Sequence, residues 1–140
     1  MAILALDVGR KKIGLSISKS ELISEEFCTI NYLDQKKAIV EIIFLIKKNN
    51  IDKIVIGMPK NMDGTDSDMT KYVLDFVEIF KEKINLYNLK IKIFLEDERL
   101  TTKEAENLLF KKGLSIDTIK KRKDQFSAKL ILDQYLDRNL

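Results

Sequence analysis

The chain contains no histidine, no tryptophan and a single cysteine, Cys28, in 140 residues. Without imidazole there is no Ser-His-Asp or Cys-His nucleophile and no histidine general base. One thiol cannot close an intrachain disulfide, and with no imidazole to join it a structural zinc site is out of reach as well. A metal at a functional site would therefore be a hard cation held by carboxylates and water, Mg2+ or Mn2+. Long apolar runs are missing too. Ala2 to Leu6 is short and follows no basic region, and the run from Ala38 to Ile46 is broken by Glu41. Neither suits a signal peptide or a membrane span, so a soluble, cytoplasmic protein is expected, a compartment where a lone cysteine stays reduced.

What is present is 45% hydrophobic and 34% charged residues. That is too charged for a membrane protein, too apolar for a disordered one, and long enough for one core, hence a single domain over residues 1–140. The formal charge is only +3, from 25 Lys and Arg against 22 Asp and Glu. The basic residues are unevenly spread: Lys111, Lys112, Lys120, Lys121, Arg122 and Lys123 are opposed only by Asp117. Such a cluster is ordinarily a solvated surface, and by charge alone it does not specify nucleic acid.

Ala2 to Leu6 reads as a strand buried on both faces. Ile13 to Ser18 alternates, with Ile13, Leu15 and Ile17 opposite Gly14, Ser16 and Ser18, as a half-exposed strand would; the tight basic connection Gly9-Arg10-Lys11-Lys12 joins the two. Phe27 to Tyr32 is a third strand. From Asp34 the period becomes helical, with Ala38, Ile42, Ile43 and Ile46 on one stripe. Lys53 to Gly57 is a buried strand, followed by a loop from Met58 to Thr65. Asp66 is placed to cap a long helix whose stripe is Met69, Tyr72, Val73, Phe76, Val77, Phe80 and Ile84, read as core. Ile91 to Leu95 is a strand running into Glu96-Asp97-Glu98. Thr101 and Glu104 have capping-box spacing for a helix carrying Ala105, Leu108 and Leu109 and closing at Lys111, Lys112 and Gly113. A last helix is expected from about Asp124 to Leu136. The order β-β-β-α-β-α-β-α makes a mixed five-stranded sheet flanked by helices, an α/β fold.

Acidic residues fall at telling positions. Asp7 closes the first buried strand and Glu96-Asp97-Glu98 closes another, and the carboxyl ends of parallel strands are where α/β sheets bind ligands. Asp124 shares a helical face with Ala128, Ile131 and Tyr135, so it points at the sheet. An Asp at a helix start is ordinarily a cap, and acids after a strand are ordinarily loop charges. Asp7 is harder to explain that way, because a carboxylate ending a doubly buried strand is costly unless paired or metal-bound. If all three sites converge, their repulsion calls for a divalent cation. Two such ions about 3.5–4 Å apart would clamp the attacking and leaving oxygens of a phosphodiester.

Four motifs occur in order: Leu4-Ala5-Leu6-Asp7-Val8-Gly9-Arg10-Lys11-Lys12-Ile13-Gly14; Gly57-Met58-Pro59-Lys60-Asn61-Met62-Asp63-Gly64-Thr65; Asp97-Glu98-Arg99-Leu100-Thr101-Thr102; and Asp124-Gln125-Phe126-Ser127-Ala128 with Ile131-Leu132 and Tyr135-Leu136 behind it. Together they resemble the YqgF/RuvX family of Holliday junction resolvases, also described as pre-16S ribosomal RNA nucleases, over nearly the whole chain. The resemblance implies a ribonuclease H-like fold and three acids around one or two Mg2+ or Mn2+ ions. Position by position these are Asp7, the middle acid within Asp97-Glu98 with Glu98 favoured, and Asp124; Glu96 precedes the motif and reads as structural. Three positions depart from the family pattern: Lys19 where many relatives carry an acid, Ser67 where Gly is frequent, and Phe126 where a smaller residue is expected.

The implied function is a metal-dependent endonuclease maturing precursor 16S ribosomal RNA. The alternatives are the same chemistry on branched DNA, or a non-catalytic protein binding nucleic acid or a transcription complex. With no histidine, water activated by the metal replaces a side-chain base. Arg10, Lys11 and Lys12 beside Asp7 would contact phosphates, or else form a solvated turn. Asn61 would grip a sugar-phosphate backbone. Arg99 would contact the scissile phosphate or pair with a neighbouring acid, and Thr101 reads as a cap. Expected partners are nucleic acid, chiefly precursor rRNA, with ribosomal assembly intermediates also in view; no membrane is expected, and the protein would be a monomer or a homodimer.

Overall fold

The computed structural model describes residues 2–98 and 101–139, without the side chains of residues 101–104. Arg99 and the Thr101–Glu104 capping box lie outside the described residues. The strands are β1 (Ala2–Val8), β2 (Lys12–Ser18), β3 (Glu25–Asn31), β4 (Ile51–Pro59) and β5 (Lys92–Glu98). The helices are α1 (Gln35–Lys48), α2 (Asp68–Leu86), α3 (Thr101–Lys111) and α4 (Ile116–Arg138). The sheet runs β3-β2-β1-β4-β5. β1 pairs antiparallel with β2 and β2 with β3, whereas β1–β4 and β4–β5 are parallel.

The pleat sends successive side chains to opposite faces. On one face Leu4, Leu6, Ile13, Leu15, Ile54 and Ile56 meet the buried stripes of α1 and α2, the larger core. On the other, Ile3, Ala5 and Val55 meet Ile131, Leu132, Tyr135 and Leu136 of α4. By this parity Asp7, in step with Ile3 and Ala5, belongs to the α4 face. The helices on the first face begin where their caps allow. Asp34 accepts from the Lys36 amide at 3.0 Å to start α1. α2 begins one residue later than the sequence suggests, because Ser67 and Thr70 form a reciprocal capping box. Asp66 instead bridges Lys60 across the loop. Ser67 thus serves as the cap that starts α2.

Three further expectations are corrected. Gly14, Ser16 and Ser18 do not line a solvated face: all three are buried, with Ser16 donating to the Ala128 carbonyl at 2.7 Å. Their small size admits α4 against the sheet. β5 does not stop at Leu95 but continues through Glu98 and pairs with β4 as far as Pro59. The three acids are strand residues, so the pleat sorts them between faces. Lastly, α4 starts at Ile116, capped by Ser115 through the Thr118 amide, and Asp124 lies well inside it. The helical order therefore closes on two helices after β5.

The first turns of α4 were hidden in the sequence by their charge. They are held by a small cluster, Ala105 and Leu109 of α3 against Ile119 and Phe126 of α4, so the bulk of Phe126 serves the α3–α4 contact. The basic segment is partly structural as well. Arg122 donates to Glu26 at 2.6 Å, Lys123 stands 3.8 Å from Glu106, and the Lys112 ammonium lies 5.4 Å from the Phe126 ring centre. Burial pushes the Glu26 carboxyl up, but the hydrogen bonds from Arg122 and Gln125 outweigh it and leave the pKa lowered.

Candidate active site

β1 carries Asp7 to the sheet's centre, and β5 brings Glu98 to the same α4 face two strands away. Glu98 is buried, with its carboxyl beside that of Asp7. Burial, then the neighbouring Asp7 charge, pushes Glu98 up to about 10. Asp7 is raised to about 6, first by burial of its carboxyl and also by the charge of Asp124, although accepting from Glu98 pulls it down. The pair therefore holds one proton and one negative charge between its members near neutrality, and its titration belongs to both.

Two glycines make this convergence possible. A Cβ on Gly57 would stand 2.6 Å from Glu98 Oε2 and 2.6 Å from Ile131 Cδ1, so β4 leaves the gap that Glu98 fills. A Cβ on Gly14 would stand 2.0 Å from the Asp124 carbonyl oxygen. Because Gly14 is the register partner of Asp7, the helix that carries Asp124 is seated directly beside Asp7.

Strand parity separates the other two acids. Asp97 is exposed and lines a cavity on the α2 face with Met58, Thr70 and Leu95, away from Asp7. Glu96 is on the α4 face, fully buried, and bound by Gln134 and the Arg138 guanidinium in an internal ion pair. The site thus contains Asp7 and Glu98 in contact with Asp124 close by, and excludes Asp97. Among the described residues no three Asp, Glu or Cys side chains stand close enough to cage a metal ion. The donor set is nonetheless all carboxylate oxygen, the chemistry a hard divalent cation takes.

The turn after Asp7 is braced in ways the sequence did not reveal. Gly9 donates to the Lys12 carbonyl at 2.8 Å and Tyr32 to the Lys11 carbonyl at 2.9 Å. The Tyr32 hydroxyl donates to the Gly9 carbonyl and meets the Tyr72 hydroxyl at 2.5 Å. The Arg10 guanidinium lies 4.9 Å from the centre of the Tyr72 ring. Tyr72, read as core, is thus a seat for Arg10, while Phe76 and Phe80 of that stripe are buried. Lys11 and Lys12 are exposed. Asn61 donates to Thr65 Oγ1 at 3.0 Å and to the Asp66 carbonyl at 3.4 Å, bracing its own loop.

A family model described as "RuvX: Holliday junction resolvase" matches residues 1–138. The chain belongs to the RuvX family. A RuvX relative from Thermoanaerobacter pseudethanolicus is 40% identical over 140 residues, covering 98% of this chain and 96% of its own. Another from Rickettsia akari is 35% identical over 136 residues, covering 96% and 85%. Both carry the name "Putative pre-16S rRNA nuclease". Two solved structures share the fold at low identity. Thermus thermophilus RuvC in complex with a Holliday junction substrate aligns with a TM-score of 0.60 at 9% identity, over 99% of this chain and 95% of that one. Fowlpox virus resolvase with Holliday junction DNA aligns at 0.58 and 17% identity, over 100% and 99%. The ribonuclease H-like architecture expected of the family is the one observed. No described helix is long and apolar enough to cross a membrane.

Proposed function

We propose that this chain is a divalent-metal-dependent endonuclease that hydrolyses phosphodiester bonds in precursor 16S ribosomal RNA. The observation that carries the reading is the buried Asp7–Glu98 pair with the Asp124 charge acting on it. Two carboxyl groups held in contact out of water are costly, and like charges there must be relieved by a proton or a cation. Asp7, Glu98 and Asp124 would hold the ion, with Asp124 closing in from the α4 side. A bound Mg2+ or Mn2+ supplies an activated water and neutralises charge on the leaving oxygen. The protein's own part is to bind and orient. Arg10, fixed on Tyr72, together with Lys11 and Lys12 would take backbone phosphates beside Asp7. Arg99 would take a phosphate next to Glu98, and Asn61 would approach the backbone from its loop. The name carried by the relatives supports precursor 16S rRNA as the substrate, and a nuclease acting on it would work in the cytoplasm.

The second reading, cleavage of branched DNA, is favoured by the family's description. It calls for two copies acting symmetrically on one junction. Incubating purified parent and Asp7→Asn with precursor rRNA and, separately, with a four-way DNA junction in Mg2+ tests both. Cleavage of the RNA by the parent, lost in Asp7→Asn and in EDTA, is the expected result. Cleavage by Asp7→Asn at parental rate would defeat the proposed site, and junction cleavage alone would favour the second reading. Binding of either nucleic acid without cleavage in any metal would leave a non-catalytic binding protein.

A further inference from the structure

We infer that the basic groove between α3 and the first turns of α4 holds a single-stranded segment of nucleic acid, with a base stacked on the exposed Phe110 ring. The inference deepens the nuclease reading above and rests on it for calling the bound chain a substrate. Glu106 and Phe110 of α3 face Ile116, Ile119, Lys120 and Lys123 of α4 across a groove of about 290 Å³. Phe110 and Ile116 are 68% and 66% exposed, whereas Ile119 is buried. Apolar groups gathered on a surface and rimmed by charge mark a contact site, where scattered ones do not.

The rim selects a polyanion. Glu106 is already matched by Lys123 at 3.8 Å. Lys111, Lys120 and Lys121 are exposed and make no ion pair with any described residue. Asp117 is the single acid in the run from Lys111 to Lys123. The ring then favours nucleic acid over an acidic protein segment. Phe44 and Tyr87 are exposed too, but Lys48 lies 6.0 Å from the first ring centre and Lys47 4.9 Å from the second. Phe110 has neither a cation nor a second ring over it among the described residues. A free aromatic face among lysines suits an unstacked base of any sequence. Bases inside a duplex present no such face, so the segment is single-stranded.

The groove also leads towards the acids. Lys120 precedes Asp124 by one turn on the same side of α4, about 6 Å along the axis, and Ile116 by about 12 Å. A chain lying in the groove thus reaches Asp124 from the N-terminal end of α4, with its phosphates on Lys111 and Lys120.

The test exploits the absence of tryptophan from the chain. Phe110→Trp places one indole in the groove, and single-stranded RNA added in EDTA should quench its fluorescence. Phe110→Ala should bind that RNA about 5–150-fold more weakly than the parent, with the same salt dependence and melting temperature. Lys120→Gln should lower the slope of log K against log salt by about 0.7. An abasic oligonucleotide should bind the parent and Phe110→Ala alike. Parental RNA affinity in Phe110→Ala, or an indole unquenched at saturating RNA, would overturn the inference. Quenching by polyglutamate but not by RNA would overturn it by assigning the groove to an acidic protein. A dimer abolished by Phe110→Ala, with RNA binding unchanged, would overturn it by assigning the groove to a second copy. Cleavage in Mg2+ is scored separately. A parent that binds RNA in the groove yet never cuts it loses the nuclease reading and keeps the groove. A parent that cuts RNA, with Phe110→Ala binding equally well, keeps that reading and loses the groove.

Discussion

Gly14 faces the main-chain carbonyl of Asp124 so closely that any side chain there would occupy the space of the helix: a Cβ would be 2.0 Å from the oxygen and 2.8 Å from the Gln125 nitrogen. The obstruction is backbone, which cannot swing aside as a side-chain tip would. Gly14→Ala must therefore lift α4 from β2. The expected cost is about 1–3 kcal/mol in chemical denaturation, typical of overpacking. It should weaken metal-dependent stabilisation as well, since Asp124 moves with the helix. An unaltered melting curve would mean α4 is not seated on Gly14.

The acid pair predicts how metal-free stability depends on pH. Glu98 has an ordinary value of 4.5 and a folded value near 10, so the folded chain binds a proton more tightly than the unfolded one. Below about pH 4.5 the group is protonated in both states and contributes nothing to the difference. As pH rises from there towards 10, only the unfolded chain gains by releasing the proton, and stability falls. Glu98→Gln removes that slope. Urea denaturation in EDTA between pH 5 and pH 9 should show Glu98→Gln gaining on the parent as pH rises. Parallel curves would refute the burial assigned to Glu98.

Asp97 and Glu98 are neighbours on opposite faces of β5, and their variants should behave differently. Asp97→Asn should keep the Mg2+-dependent rise in melting temperature, whereas Glu98→Gln should lose it. Loss in both would place the cation elsewhere.

Arg10 stacked on Tyr72 predicts a separable contribution to nucleic-acid binding. Arg10→Gln should weaken binding of a single-stranded RNA in EDTA and reduce the slope of log K against log salt by about 0.7, one phosphate contact. Tyr72→Phe, which keeps the ring, should retain Arg10's contribution; Tyr72→Leu should lose affinity with the slope unchanged. If Arg10→Gln binds with the parental slope, the turn is merely solvated.

Phe126 predicts that α3 docks through a few side chains. Phe126→Ala, beside Ala105, Leu109 and Ile119, should cost about 3 kcal/mol or more if the cavity does not collapse. Proteolysis of the α3–α4 connection should become faster.

How much was legible beforehand differs by element. The strand at Ala2 to Leu6, the α1 stripe from Ala38 to Ile46 and the α2 stripe from Val73 to Ile84 follow from hydrophobic period alone, because each buries one patterned face whatever surrounds it. The start of α4 did not, because Lys120 to Lys123 break the apolar period and its stripe is completed only by α3. The Gly14, Ser16 and Ser18 face read as solvated for a related reason: small residues look alike whether they face water or admit a helix. Tyr32 and Tyr72 offered no signal for their part in bracing the turn after Asp7, since it depends on partners far along the chain.

Composition by itself decided that any metal chemistry here would be carboxylate chemistry, since no imidazole exists to serve instead. The motifs likewise decided the family, since together they bring Asp7, Asp97-Glu98 and Asp124 in order along one chain. Which acids meet was decided only in three dimensions. β5 runs on through its acids, and the alternation of a pleated strand then turns Glu98 towards Asp7 and Asp97 away from it. That depends on where pairing with β4 ends, which is set by contacts between strands and not by the residues of either one.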